Sequence, residues 1–147
     1  MSEQQHILYG LKQGGITYVS SHLRSGNDDA VTGPTLKDGQ PHTYASVGHP
    51  NIVEVPSHGL QDVVFTRQKV QALLGRDDVP PSEEVIAHYT DFVDQAGEMD
   101  LDTVSVALCL HPWAVMEYDP KVEILLRIVD HARQKGFEVV TYGQMAD

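Results

Sequence analysis

Cysteine, tryptophan and basic residues are scarce in this chain of 147 residues, and the shortages exclude several classes of protein. Cys109 is the only cysteine, so the chain can form no internal disulfide and no cysteine-based zinc cluster. Its position between Leu108 and Leu110 favours a packed thiol over a reactive one. Ten basic residues are outnumbered by twenty-one acidic ones, and the net charge of −11 argues against nucleic acid and anionic membranes as partners.

The first residues of the chain also lack a basic segment followed by an apolar one. This pattern predicts neither a signal peptide nor a membrane span, so we expect a cytoplasmic protein. The length fits a single domain over residues 1–147, and the sequence contains no repeat and no low-complexity tract.

Apolar spacing and turn residues predict helices that alternate with strands. Helices are expected around Ile7 and Leu8, from Ser82 to Gly97, and from Asp119 to Gly136, the last with Val122, Leu125, Leu126 and Val129 on its buried face. Strands are expected at residues 16–19, 52–56, 104–110 and 137–141, with a long loop over 25–48. This order predicts an α/β fold with a mainly parallel sheet and helical crossovers, open or barrel-like.

His111 is the clearest candidate site residue, because it follows the apolar run 104–110 and precedes Pro112 and Trp113. Ligands of α/β proteins bind where loops converge at the C-terminal ends of strands, and a histidine there can act as a general acid near neutral pH. The alternative is a structural histidine at a strand end, and position alone does not decide. Trp113 is likewise compatible with a sugar-stacking wall or with a loop aromatic that covers the core.

Three stretches of the sequence carry a family resemblance. Residues 106–113 (Val-Ala-Leu-Cys-Leu-His-Pro-Trp), a helix start at Asp119-Pro120 and residues 136–145 resemble the end of the polysaccharide deacetylases. This family is also called the nodulation-protein-B-type deacetylases, or the fourth carbohydrate esterase family. Its last catalytic motif, Leu-x-Leu-His, matches residues 108–111, and the continuation resembles the allantoinase-like and peptidoglycan-deacetylase-like branch. Upstream, residues 11–21 and 52–56, followed by Asp62, resemble further family segments in the same order.

The resemblance implies hydrolysis of a non-peptide C–N bond, such as the N-acetyl group of a carbohydrate, by a water activated on a divalent metal such as zinc. His111 would be the catalytic acid that protonates the departing amine. Leu110 would line the pocket for the acetyl methyl group, Trp113 would form part of its wall, and Asp62 would be an acidic residue near the site.

The resemblance covers only the C-terminal half of such an enzyme. The family's metal ligands, an Asp-Asp motif and a His-Ser/Thr-x-x-His motif, belong upstream of the matched region, and no histidine here has another three or four residues away. We therefore expect no metal ligands and no cofactor in this chain, and a divalent metal only if a missing N-terminal half supplies it. His22, His42, His49 and His58 are expected at the surface or in loops, Asp28-Asp29 in a loop, and His6, His88 and His131 facing solvent.

Three hypotheses follow for the whole chain. It is about half of a deacetylase barrel, which would expose sheet edges and self-associate or bind its other half. Alternatively it is a non-catalytic pseudoenzyme or carbohydrate-binding module, or an unrelated α/β domain in which the His-Pro-Trp sequence is a coincidence. A carbohydrate or small-molecule substrate and a homo-oligomer are the expected partners.

Overall fold

The computed structural model describes residues 3–20, 35–67 and 69–146. The helices are α1 (Glu3–Gln13), α2 (Val70–Leu74), α3 (Ser82–Gly97), α4 (Pro112–Tyr118) and α5 (Glu123–Gln134). The strands are β1 (Tyr18–Val19), β2 (His42–Tyr44) and β3 (His49–Glu54). Short 3₁₀ turns occupy Ala45–Val47, Asp62–Phe65 and Tyr142–Ala146.

The three strands form one small mixed sheet in the order β1-β3-β2. β3 pairs in parallel with β1, with Tyr18 opposite Val53, and antiparallel with β2, with Thr43 opposite Val53. The β2–β3 hairpin turns through Ala45–Val47 and Gly48, whose φ of 89° is readily adopted by glycine. The predicted half barrel with a mainly parallel sheet is therefore wrong, because the described strands form a three-stranded sheet with both pairing directions.

Two predicted strands, residues 104–110 and 137–141, are not strands in this structure. A strand requires a neighbouring backbone to complete its ladder, and apolar composition alone cannot supply one. The 103–110 segment is held mainly by polar side chains, and all of residues 104–110 are half-buried. Residues 138–141 are exposed, so this apolar run is not covered by the described part of the chain.

The main core lies between α3, α5 and the 3₁₀ turn Asp62–Phe65. It consists of Val64, Phe65, Val85, Ile86, Tyr89, Ile124 and Ile128. The boundaries of α3 agree with the prediction; Pro81 precedes its first residue, and no side-chain hydrogen bond caps the helix. In α5 the buried residues are Ile124 and Ile128, whereas Leu126 is 57% exposed, so the predicted buried face of this helix is wrong by part of a turn.

Asp119 lies just before α5, but the helix begins at Glu123, with Val122 preceding it, and not directly after Asp119 as the sequence predicts. Its carboxylate accepts the backbone N–H groups of Glu123 (2.8 Å), Ile124 (2.9 Å) and Leu125 (3.1 Å). These donors have no partner inside a helix, so the cap satisfies the first turn of α5 and fixes how the chain leaves α4. A smaller core of Leu8, Tyr44 and Ile52 joins α1 to the sheet. None of the described helices combines the length and the apolar composition that crossing a bilayer requires.

Candidate functional site

The segment that follows β3 contains several buried polar side chains. Glu54, Ser57, His58 and Asp62 are each at most 4% exposed. The Tyr44 hydroxyl donates to Oε2 of Glu54 at 2.8 Å, and the hydroxyls of Ser20 and Ser57 lie 3.1 Å apart. Because buried polar groups are costly without partners, this segment is held by specific hydrogen bonds as well as by packing.

Asp62 begins the 3₁₀ turn Asp62–Phe65 and is completely buried. Its backbone N–H points to the carbonyl of Cys109 at 3.4 Å, which brings the turn alongside the end of the 103–110 segment. Its carboxylate therefore contacts His111, the residue that precedes α4.

His111 is the residue that precedes α4, and Pro112 occupies the first position of that helix. The backbone N–H of a residue in this position is not used by the helix, so it is free to bond elsewhere. It donates to Oδ2 of Asp62 at 2.6 Å, and the ring Nδ1 of His111 lies 2.7 Å from Oδ1 of the same carboxylate. Both oxygens of one buried carboxylate thus hold one histidine.

This geometry determines where the ring proton of His111 resides. An ionised carboxylate can only accept hydrogen bonds, so Nδ1 carries the proton and Nε2 is left bare in the neutral ring. Nε2 makes no hydrogen bond to the described residues, and the His111 side chain is 36% exposed. The pair therefore presents to solvent a nitrogen that can take up a proton and donate it again.

Trp113 lies beside this histidine on the first turn of α4. The two ring centroids are 6.0 Å apart with an interplanar angle of 49°, and Trp113 is 52% exposed. Leu110 is half-buried and packs against the main core. Of the predicted site residues, the structure brings Asp62, His111 and Trp113 together, and it uses Leu110 for packing; their roles in binding or catalysis stay predictions.

Three weakly acidic groups surround Asp62. Burial, together with the negative charge of Asp62 among the smaller causes, raises the pKa of Tyr89, Tyr118 and Cys109. All three side chains therefore stay protonated at neutral pH. For Cys109 this agrees with a packed thiol rather than a nucleophile.

The remaining histidines do not form a metal site in the described part of the chain. No three His, Cys, Asp or Glu side chains there lie close enough to bind a metal ion. His22 and Asp28-Asp29 lie outside the described residues. His88 and His131 are half-buried rather than solvent-facing: His88 accepts the N–H of Leu60 at 2.9 Å, and His131 lies 2.8 Å from Asp94.

Sequence reasoning missed the buried polar residues His58 and Glu54. His58 bonds to backbone atoms of Gly39 and Ala107, which lie far away in the sequence. Every residue has these backbone atoms, so residue types do not reveal such partners. The available signal was the ambiguous stretch 57–65, where polar residues are interleaved with Gly59 and Leu60 in a way that fits neither helix nor strand.

Comparisons of the chain with protein-family models, with curated proteins and with solved structures find no match. The resemblance to polysaccharide deacetylases therefore stays a prediction, and the functional argument depends on the geometry of the Asp62–His111 pair.

Proposed function

We propose that the chain hydrolyses a C–N bond of an acetamido carbohydrate, with the Asp62–His111 pair as its proton-transfer group. The observation that carries the proposal is the 2.7 Å contact between Nδ1 of His111 and a carboxylate that is completely buried. A histidine oriented by a carboxylate, with its second nitrogen open to solvent, is an arrangement suited to general acid–base catalysis.

The two residues have separate tasks in this proposal. Asp62 orients the ring and stabilises the imidazolium when Nε2 is protonated. The bare Nε2 takes a proton from the water as the water oxygen adds to the acetyl carbonyl. Nε2–H then donates that proton to the departing nitrogen as the C–N bond breaks, so acetic acid and the amine are the products and the ring is neutral again.

Trp113 would provide the binding surface for the sugar. More than half of this indole is exposed next to the reacting nitrogen, and aromatic side chains commonly line pockets for small ligands. A sugar ring stacked on Trp113 would bring its substituents near His111, since the two rings are only 6.0 Å apart.

The described residues do not fit the divalent metal that the family resemblance implies. Both Asp62 oxygens are engaged by His111, and both ring nitrogens of His58 are engaged by backbone groups. In this proposal any metal ligands come from residues outside the described ranges or from a second polypeptide. The cytoplasmic location expected from the sequence also stays a prediction.

Acetate release from N-acetylglucosamine oligomers tests the proposal, with the purified chain alone and with added zinc or cobalt. We expect turnover that falls about 10²–10⁴-fold in His111→Ala, the range typical of a lost general acid. His131→Ala is the matched control, because His131 is also paired with a carboxylate, Asp94, at 2.8 Å, and it should keep wild-type turnover. Equal loss of turnover in both variants would contradict hydrolysis at His111, and absence of acetate release under all these conditions would contradict hydrolysis by this chain without a second polypeptide.

A non-catalytic carbohydrate-binding module is the second candidate, and the exposure of Trp113 favours it. In that case Trp113→Ala would abolish binding of the same oligomers in calorimetry, whereas His111→Ala would leave binding unchanged and no acetate would be released. Hydrolysis requires both residues, so the two variants together separate the candidates.

Self-association is a further part of the proposal. Val139, Val140, Tyr142 and Met145 are exposed apolar side chains close together in sequence, and such patches commonly mark interaction sites. We expect sedimentation velocity to show a homodimer or larger species, and a monomer at high concentration would contradict this.

A further inference from the structure

The segment that carries His111 is joined to the rest of the protein at alternate residues. The Gln40 side chain bonds both backbone groups of Ser105, at 2.8 and 3.2 Å. Ala107 is bonded by His58, and the Cys109 carbonyl accepts the Asp62 N–H at 3.4 Å. The series ends with the bonds between His111 and Asp62, so the catalytic pair is the last contact of a ladder built largely from side chains.

His58 supplies the central contact of this ladder. Its backbone N–H donates to the carbonyl of Ala107 at 2.7 Å, and its ring Nδ1 accepts the N–H of Ala107 at 3.1 Å. Its Nε2 lies 3.0 Å from the carbonyl of Gly39. Because the Ala107 N–H can only donate and the Gly39 carbonyl can only accept, both ring bonds exist only when Nδ1 is bare and Nε2 carries the proton.

The surroundings of His58 hold it in that neutral form. The side chain is 1% exposed and lies beside Phe92, with ring centroids 6.4 Å apart. Another histidine, His88, has its Nε2 beside Gly59, the residue after His58, and accepts the Leu60 N–H. No charged side chain of the described residues bonds to His58, and burial lowers the pKa of its imidazole.

We propose that His58 is the positioning residue of the Asp62–His111 pair, and that it acts only as the neutral tautomer protonated at Nε2. Asp62 lies four residues after His58, and His111 lies four residues after Ala107. Fixing Ala107 opposite His58 therefore places His111 opposite Asp62. If Nδ1 carried a proton, two donors, Nδ1–H and the Ala107 N–H, would face each other. The hydrogen bond to Ala107 would then be lost, and the segment that carries His111 would be released.

This inference concerns the geometry of the pair and holds whether or not the pair hydrolyses anything. It can therefore be tested without a substrate, by long-range ¹H–¹⁵N NMR of the histidine rings. In the wild type at pH 7.5, His58 should be protonated at Nε2 and His111 at Nδ1. On acidification, His111 should lose its bond to Asp62 with the same midpoint at which His58 becomes protonated.

Two substitutions separate positioning from general support of the fold. In His58→Asn the amide oxygen takes the place of Nδ1, so the Ala107 contact is kept and no longer titrates; the His111 bond should then survive to lower pH than in the wild type. In His58→Gln the amide reaches Gly39 instead, the Ala107 contact is lost, and His111 should show a mixture of tautomers at pH 7.5.

Wild-type behaviour of His111 in a folded His58→Gln variant would overturn the proposal. So would a wild-type His58 protonated at Nδ1, or loss of the His111–Asp62 hydrogen bond in the wild type at a pH that differs from the one at which His58 becomes protonated. The last two results come from the unaltered chain, so they decide the matter even if the glutamine variant does not fold.

Discussion

Replacing Asp62 by asparagine is expected to invert the protonation of the His111 ring while the two residues stay in contact. The His111 backbone N–H is a fixed donor, so the asparagine oxygen will turn towards it and keep the 2.6 Å contact. The amide NH₂ group then faces Nδ1 and donates to it. Nδ1 becomes the bare nitrogen, Nε2 carries the proton in the neutral ring, and no carboxylate remains to stabilise an imidazolium.

The cost in stability can be worked out from the two contacts. Hydrogen bonds to an ionised group contribute about 1.5–3 kcal/mol each, and neutral bonds about 0.5–1.5 kcal/mol. Replacing two hydrogen bonds to a carboxylate by two neutral ones therefore lowers the free energy of unfolding by about 2–3 kcal/mol, before exposure and burial are taken into account. The ring contact is partly screened because His111 is 36% exposed, and a neutral amide is less costly to bury than a carboxylate. We therefore expect the free energy of unfolding to fall by about 1–2 kcal/mol.

Urea unfolding and acetate release together test this expectation. A variant that is destabilised this little should remain folded, yet its turnover should fall about 10²–10⁴-fold because the general acid has lost its orientation and its counter-charge. Asp94→Asn is the matched control, since it alters the other carboxylate–histidine pair, and it should leave turnover unchanged. Wild-type turnover in Asp62→Asn would refute the reasoning.

Three further predictions concern stability, each measured by urea unfolding. Asp119→Ala removes the acceptor of three N–H groups of α5 and should cost about 1–2 kcal/mol; no loss would contradict its role as a cap. Gly59→Ala should lower the free energy of unfolding clearly more than Gly75→Ala. Both glycines have positive φ, but only at Gly59 would a Cβ lie 2.9 Å from His88 Nε2. Equal losses would contradict that packing. Burial lowers the pKa of His58 and His88 below the ordinary 6.5, so the unfolded chain binds more protons than the folded chain below pH 6.5. The free energy of unfolding should therefore be highest above pH 6.5 and decline below it, and a flat profile from pH 7.5 to 5 would contradict this.

The parts of the fold that the sequence predicts are those with local signals. The ends of α3 follow from Pro81 before its first turn and Gly97 at its end, and Asp119 marks the start of α5 to within one helical turn. Such signals act within one or two helical turns, so a single sequence contains all of them.

The parts that were not predictable depend on distant partners. Residues 104–110 have the composition of a buried strand, but their hydrogen bonds go to the side chains of Gln40 and His58 and to isolated backbone N–H groups of His58 and Asp62 rather than to a neighbouring strand. The β2–β3 hairpin lies in a stretch rich in turn residues, where register is set by the sheet and not by apolar alternation.

The candidate site shows the same division. His111 and Trp113 could be identified because they follow an apolar run directly. Asp62 lies 49 residues before His111, so no spacing rule joins the two, and Asp62 was named only through the family resemblance. Its complete burial, which makes the pair a defined geometry rather than a surface ion pair, is a property of the folded chain alone.

The protonation state of the His111 ring in the unaltered protein tests the central claim most directly. Long-range ¹H–¹⁵N NMR at pH 7.5 reports which ring nitrogen carries the proton. The Asp62–His111 contact predicts a single neutral tautomer protonated at Nδ1, with Nε2 bare and open to solvent. A ring protonated mainly at Nε2, or a mixture of both tautomers, would contradict the pair as a proton-transfer group.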